Sequence, residues 1–73
     1  MSIPLVSSDL TARENEIVRL ILNQLSNVAI SLQLGCSVKT VEFHITNIFR
    51  KTRTSSRLEL VMKLMAAGKV EEP

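Results

Sequence analysis

The chain has 73 residues, 45% hydrophobic and 3% aromatic, with a formal net charge of +2. That length allows one small domain with a core of aliphatic side chains. The single cysteine, Cys36, excludes an internal disulfide, and no apolar run reaches the ~18 residues that span a bilayer. Both observations fit a cytoplasmic protein with no membrane partner.

The start of the chain lacks the basic region and apolar core of a signal peptide, and residues 1–9 read as a flexible arm. Thr11-Ala12-Arg13-Glu14 has the form of a capping box, in which hydroxyl and carboxylate each accept a backbone N–H, with Leu10 before it as a staple. Ile17, Leu20 and Ile21 follow at helical spacing, so a first helix is predicted to about Asn23. Ser26 can cap a short second helix with Ile30 and Leu34 on its inner face, and Gly35 can end it in the left-handed conformation. Ser37 caps a third helix from Val38 to Arg50 or Lys51, on which Val41, Ile45, Ile48 and Thr52 share one face. The poor helix formers Thr52-Arg53-Thr54-Ser55 read as a loop. Ser56-Arg57-Leu58-Glu59 resembles a second capping box and opens a fourth helix to about Ala67, with Gly68 past its end and 71–73 as a polar tail.

Charge is unevenly distributed. Residues 38–57 carry Lys39, Arg50, Lys51, Arg53 and Arg57 against Glu42 alone, a local charge of +4, whereas the segments before and after are each −1. A concentrated positive stretch is the electrostatic footprint of a nucleic-acid-binding surface, although a solvated basic face has the same composition. The three-residue turn Gly35-Cys36-Ser37 has the connection length of a DNA-binding helix-turn-helix. Ser31 supplies the small residue at the helix crossing, and Ile30, Leu34, Cys36 and Val41 can close the elbow.

These residues carry a family resemblance. Leu10-Thr11-Ala12-Arg13-Glu14, Glu16-Ile17-Val18 and Leu20 resemble the opening of LuxR-type helix-turn-helix domains. Ser26-Asn27, Ile30, Ser37, Thr40-Val41, His44, Asn47-Ile48 and Lys51 are similar to the family's central signature, and Arg57, Val61, Gly68 and Val70 to its ending. The resemblance covers residues 10–70. It implies an all-α, four-helix domain of a bacterial transcription regulator that binds DNA as a dimer with its third helix in the major groove. Such domains usually form the C-terminal half of a response regulator or ligand-sensing regulator. The expected partners are therefore double-stranded DNA, a second copy, a receiver or sensor domain, and RNA polymerase. This chain departs from the family where Gln24 replaces a usual Gly, Val28-Ala29 a frequent Lys-Glu, Ser31 an Ala, Glu42 a Lys or Arg, and Thr52 a Leu.

Helix geometry turns Glu42, Phe43, Thr46 and Arg50 away from the Val41–Ile45–Ile48 face. Glu42, Phe43 and Thr46 match the family's base-edge positions. Expected phosphate contacts are Ser26, Asn27, Lys39, Thr40, His44, Asn47, Arg50 and Lys51, which supply charge, neutral donors or the N-terminus of the second helix. Phe43 has two readings, partial burial or contact with a thymine methyl. His44 fits a place near the DNA backbone or a packing role. Cys36 stands where the family has Ile, Val or Leu and reads as a small buried hydrophobe rather than a redox thiol. On the fourth helix, Leu60, Val61 and Leu64 form a core stripe, while Leu58, Met62 and Met65 form a second one that suits either a broad core face or a dimer interface. No catalytic triad, carboxylate pair, phosphate-binding glycine loop or metal-ligand spacing is legible. Neither an enzyme nor a metal or cofactor is expected. The alternative function is a helical protein-interaction or dimerisation module without DNA binding, for which the basic concentration on one helix would have no use.

Overall fold

A computed structural model describes residues 10–66. It contains four helices and no strand among those residues: α1 (Ala12–Leu22), α2 (Asn27–Leu34), α3 (Val38–Thr52) and α4 (Arg57–Ala66). The predicted arm over 1–9, the predicted end of the fourth helix near Ala67, the expected roles of Gly68 and Val70 and the predicted tail over 71–73 lie outside the described residues.

Side-chain caps set the helix starts. The Thr11 hydroxyl accepts from the Glu14 N–H at 3.0 Å, while the Glu14 carboxylate accepts from the Thr11 N–H at 2.9 Å, which completes the capping box. Leu10 is buried in the core rather than stapled to the fourth helical position. That position is Asn15, whose amide donates to the Leu10 carbonyl. Ser26 and Ser37 cap α2 and α3 by accepting from Ala29 and Thr40. The second capping box is only half formed. Ser56 accepts from the Glu59 N–H, but the Glu59 carboxylate turns to the backbone N–H and hydroxyl of Ser55, both at 2.8 Å, and these hold its pKa below the usual value.

The helix ends use the left-handed region. Gly35 closes α2 at φ 72°, where the lack of a Cβ removes the steric cost. Gln24 and Arg53 take the same region, at φ 67° and 59°, with side chains that disfavour it. A glycine, which the LuxR-type resemblance leads one to expect at the Gln24 position, would take that angle without the steric cost. Helix α3 runs slightly beyond the predicted Arg50 or Lys51. Thr52 continues it because its hydroxyl bonds the Ile48 carbonyl at 2.8 Å and lies 2.9 Å from the Thr54 hydroxyl, so two polar residues are buried with partners.

The core consists of Leu10, Ile17, Val18, Ile21, Ile30, Val41, Ile45, Ile48, Leu60 and Leu64. Each fully buried aliphatic side chain contributes roughly 1.5–3 kcal/mol. Helix α3 packs against α1 and α2, and α4 closes on α1. The predicted inner face of α3, Val41, Ile45, Ile48 and Thr52, is buried throughout. Leu34, Cys36, Phe49 and Val61 are half-buried against the core. The Ser31 hydroxyl, buried at the elbow, donates to the Val28 carbonyl at 2.7 Å.

Candidate nucleic-acid interface

Burying one face of α3 leaves the opposite face to solvent. Lys39, Glu42, Phe43, Thr46 and Arg50 follow at helical spacing, and all five are exposed. Phe43 is 63% exposed, so partial burial does not account for it. Its ring meets the half-buried His44 edge-on, with centroids 5.7 Å apart. Glu42, Lys39 and Thr46 bond with no described side chain. The Arg50 guanidinium donates to Asn47 Oδ1 at 2.7 Å, which holds both residues on the same side of the helix.

The N-termini of α2 and α3 flank this face in the chain. The hydroxyls of Ser26 and Ser37 are engaged in capping, and Ser37 also donates to the Thr40 hydroxyl at 3.0 Å. Asn27 is tied down by a residue 30 positions further along the chain. Arg57 Nη1 donates to its Oδ1 at 2.9 Å, and Arg57 Nη2 donates to the Leu25 carbonyl. One guanidinium thus fixes the start of α4 to the start of α2. Arg57 resembles a residue of the family's ending, and no spacing along the sequence points to this contact.

Lys51 has a structural bond that spacing along one helix cannot reveal. Its Nζ donates to Glu14 Oε1 at 2.8 Å, in an ion pair that is mostly buried on both sides. Burial pushes the Glu14 carboxyl up; the bond from Lys51, the Thr11 N–H and the lysine charge outweigh it, and the net effect holds the pKa below the usual value. Part of the +4 over 38–57 is therefore balanced inside the fold. Lys39, Arg50 and Arg53 are the exposed positive charges of that segment.

The fourth helix divides cleanly. Leu60 and Leu64 are buried and Val61 is half-buried, whereas Leu58, Met62 and Met65 are between 59 and 68% exposed. The second stripe is therefore not a core face of the single chain. Lys63, on the same helix, donates to the Thr52 carbonyl at 2.8 Å and so caps the end of α3. No helix of the described residues is long and apolar enough to cross a membrane, and no group of three His, Cys, Asp or Glu among them is placed to hold a metal ion.

Comparison with known proteins shows the family of the chain. The family model GerE, described as bacterial regulatory proteins of the luxR family, matches residues 8–66. The chain is 46% identical over 54 residues to the monoamine regulon transcriptional regulator of Klebsiella aerogenes, covering 74% of this chain and 24% of that protein. It is 37% identical over 67 residues to the transcriptional activator protein LuxR of Aliivibrio fischeri, covering 92% and 27%. It is 38% identical over 66 residues to response regulator Rre1 of Synechocystis, covering 90% and 29%. The matched stretch is thus about a quarter of the length of these relatives. With the match running through all four helices, the chain belongs to the LuxR family of bacterial regulatory proteins.

Proposed function

We propose that this domain binds double-stranded DNA sequence-specifically and thereby regulates transcription, with α3 in the major groove. The observation that carries the reading is the outer face of α3, where basic, acidic, aromatic and hydroxyl side chains are all exposed and none serves the core. A helix presented in this way fits the width of the major groove. The relatives named above as transcriptional regulators support the same reading.

In this arrangement Glu42, Phe43 and Thr46 meet base edges. Ser26, Asn27, Lys39, Thr40, His44, Asn47, Arg50 and Lys51 lie along the phosphates, where they position the domain without reading sequence. Lys51 would do so while bonded to Glu14, and Asn27 while bonded to Arg57, so both also act through the fold. Leu58, Met62 and Met65 form the contact with a second copy. Pairing them about a two-fold axis covers the exposed stripe and sets two α3 helices about 34 Å apart, one turn of DNA. In a longer regulator, a receiver or sensor domain would control the pairing and RNA polymerase would be the downstream partner, in the cytoplasm.

Gel-shift titration against unrelated and selected duplexes tests the reading. Tight binding to selected duplexes, with weaker and strongly salt-dependent binding to all others, is expected. A chain that binds neither is an interaction module instead.

A further inference from the structure

Resting on the proposed entry of α3 into the major groove, we infer that the centre of each half-site is a pyrimidine step: a cytosine recognised by Glu42, with a thymine beside it on the same strand against Phe43. Glu42 is an exposed carboxylate between Lys39 and Arg50 on the outer stripe, and it bonds with no described residue. A carboxylate facing a polyanion is repelled unless it accepts a hydrogen bond there. Only two groups on the major-groove edge donate, the amino groups of cytosine and adenine. Adenine sets its amino group beside the N7 acceptor, which a carboxylate cannot satisfy because it has no proton to give. Cytosine sets its amino group beside an apolar C5–H, so it suits Glu42 better.

Phe43 adjoins Glu42 and presents a ring that is 63% exposed, braced edge-on by His44. An aromatic face has no hydrogen bond to offer and fits the one apolar group of the groove, the thymine methyl. Thr46 lies one turn on, four residues from Glu42, and its hydroxyl and methyl accept either neighbour. None of these three side chains is the arginine or lysine that reads guanine.

Selection from random duplexes with the 73-residue chain, and with Glu42→Gln and Phe43→Ala, tests this. The native chain is expected to enrich cytosine at one position of the half-site. Glu42→Gln should exchange it for adenine, which a glutamine pairs in two places. Phe43→Ala should keep the cytosine and lose the adjoining thymine. Replacing the cytosine by adenine in a fixed duplex should weaken the native chain by roughly 5- to 150-fold and Glu42→Gln by less. If the native chain enriches a site but Glu42→Gln selects the same bases, or an A·T pair already fills that position in the native chain's site, the inference fails and DNA binding stands. If the native chain enriches nothing and shows no salt-dependent binding, the inference and the proposed function fall together.

Discussion

The Nζ of Lys51 lies 2.8 Å from Oε1 of Glu14 and joins the last turn of α3 to the first turn of α1 across 37 positions of chain. The same carboxylate oxygen accepts the Thr11 N–H that closes the capping box, so one atom links a local cap to the tertiary fold. Removing the lysine strands a buried carboxylate with the cap as its remaining partner. Lys51→Met should cost about 2 kcal/mol at neutral pH, read from urea unfolding.

The ion pair also sets an acid dependence. A carboxyl with a depressed folded pKa stabilises the fold above its unfolded pKa, about 4.3, and the contribution disappears as pH falls through the folded value. The Glu14 pKa is lowered, so the native chain should lose stability as pH falls below the unfolded value and through the lowered folded one. In Lys51→Met, burial is opposed only by the Thr11 bonds, and the loss over that range should shrink. Equal losses in both proteins would remove Lys51 as the cause.

Gln24 holds φ 67° at the end of α1, and no described side chain bonds to it. Gln24→Gly relieves the strain while adding some freedom to the unfolded chain. A net gain of about 0.5–1 kcal/mol is expected, with an unchanged denaturant slope. A lower midpoint would mean that the glutamine side chain holds the turn.

Arg57 reaches Asn27 and the Leu25 carbonyl with two nitrogens of one planar group. Lysine keeps the charge but cannot span both acceptors. Arg57→Lys should therefore lower stability by about 1–2 kcal/mol. Amide exchange should accelerate first in α4 and at the start of α2. Uniform acceleration across all four helices would argue against a local clamp.

Leu58, Met62 and Met65 are exposed together on α4. Met62→Glu puts a charge amid the proposed dimer contact without touching the core. It should leave the circular dichroism spectrum and single half-site affinity unchanged and abolish cooperative binding to a paired site. Retained cooperativity in the folded variant would assign dimerisation to another surface.

What was legible in the sequence was periodic or local. The caps at Thr11, Ser26 and Ser37, the turn at Gly35 and the buried face of α3 follow from spacing and side-chain chemistry, and they place the outer face of α3 as well. The contacts that lock helices together were not legible. Lys51 to Glu14, Arg57 to Asn27 and Lys63 to Thr52 span 37, 30 and 11 positions, and no helical period relates such partners. The second capping box looked complete because Glu59 stands three residues after Ser56; Ser55 competes for the same carboxylate and offers two donors. For the same reason the basic concentration over 38–57 overstated the charge available to a partner, since one of its lysines is paired with a glutamate from α1.

Salt dependence of duplex binding tests most directly whether the outer face of α3 meets DNA. The native chain, Lys39→Ala and Arg13→Ala should be titrated between about 50 and 200 mM salt. Lys39 lies on the α3 stripe, while Arg13 lies on α1 and pairs with Glu16, so the two variants lose equal charge from different places. A steep linear fall of log K with log salt is expected for the native chain, flattened by about 0.9 in Lys39→Ala and unchanged in Arg13→Ala. No binding by the native chain at low salt, or one slope shared by all three proteins, would contradict DNA contact through the outer face of α3.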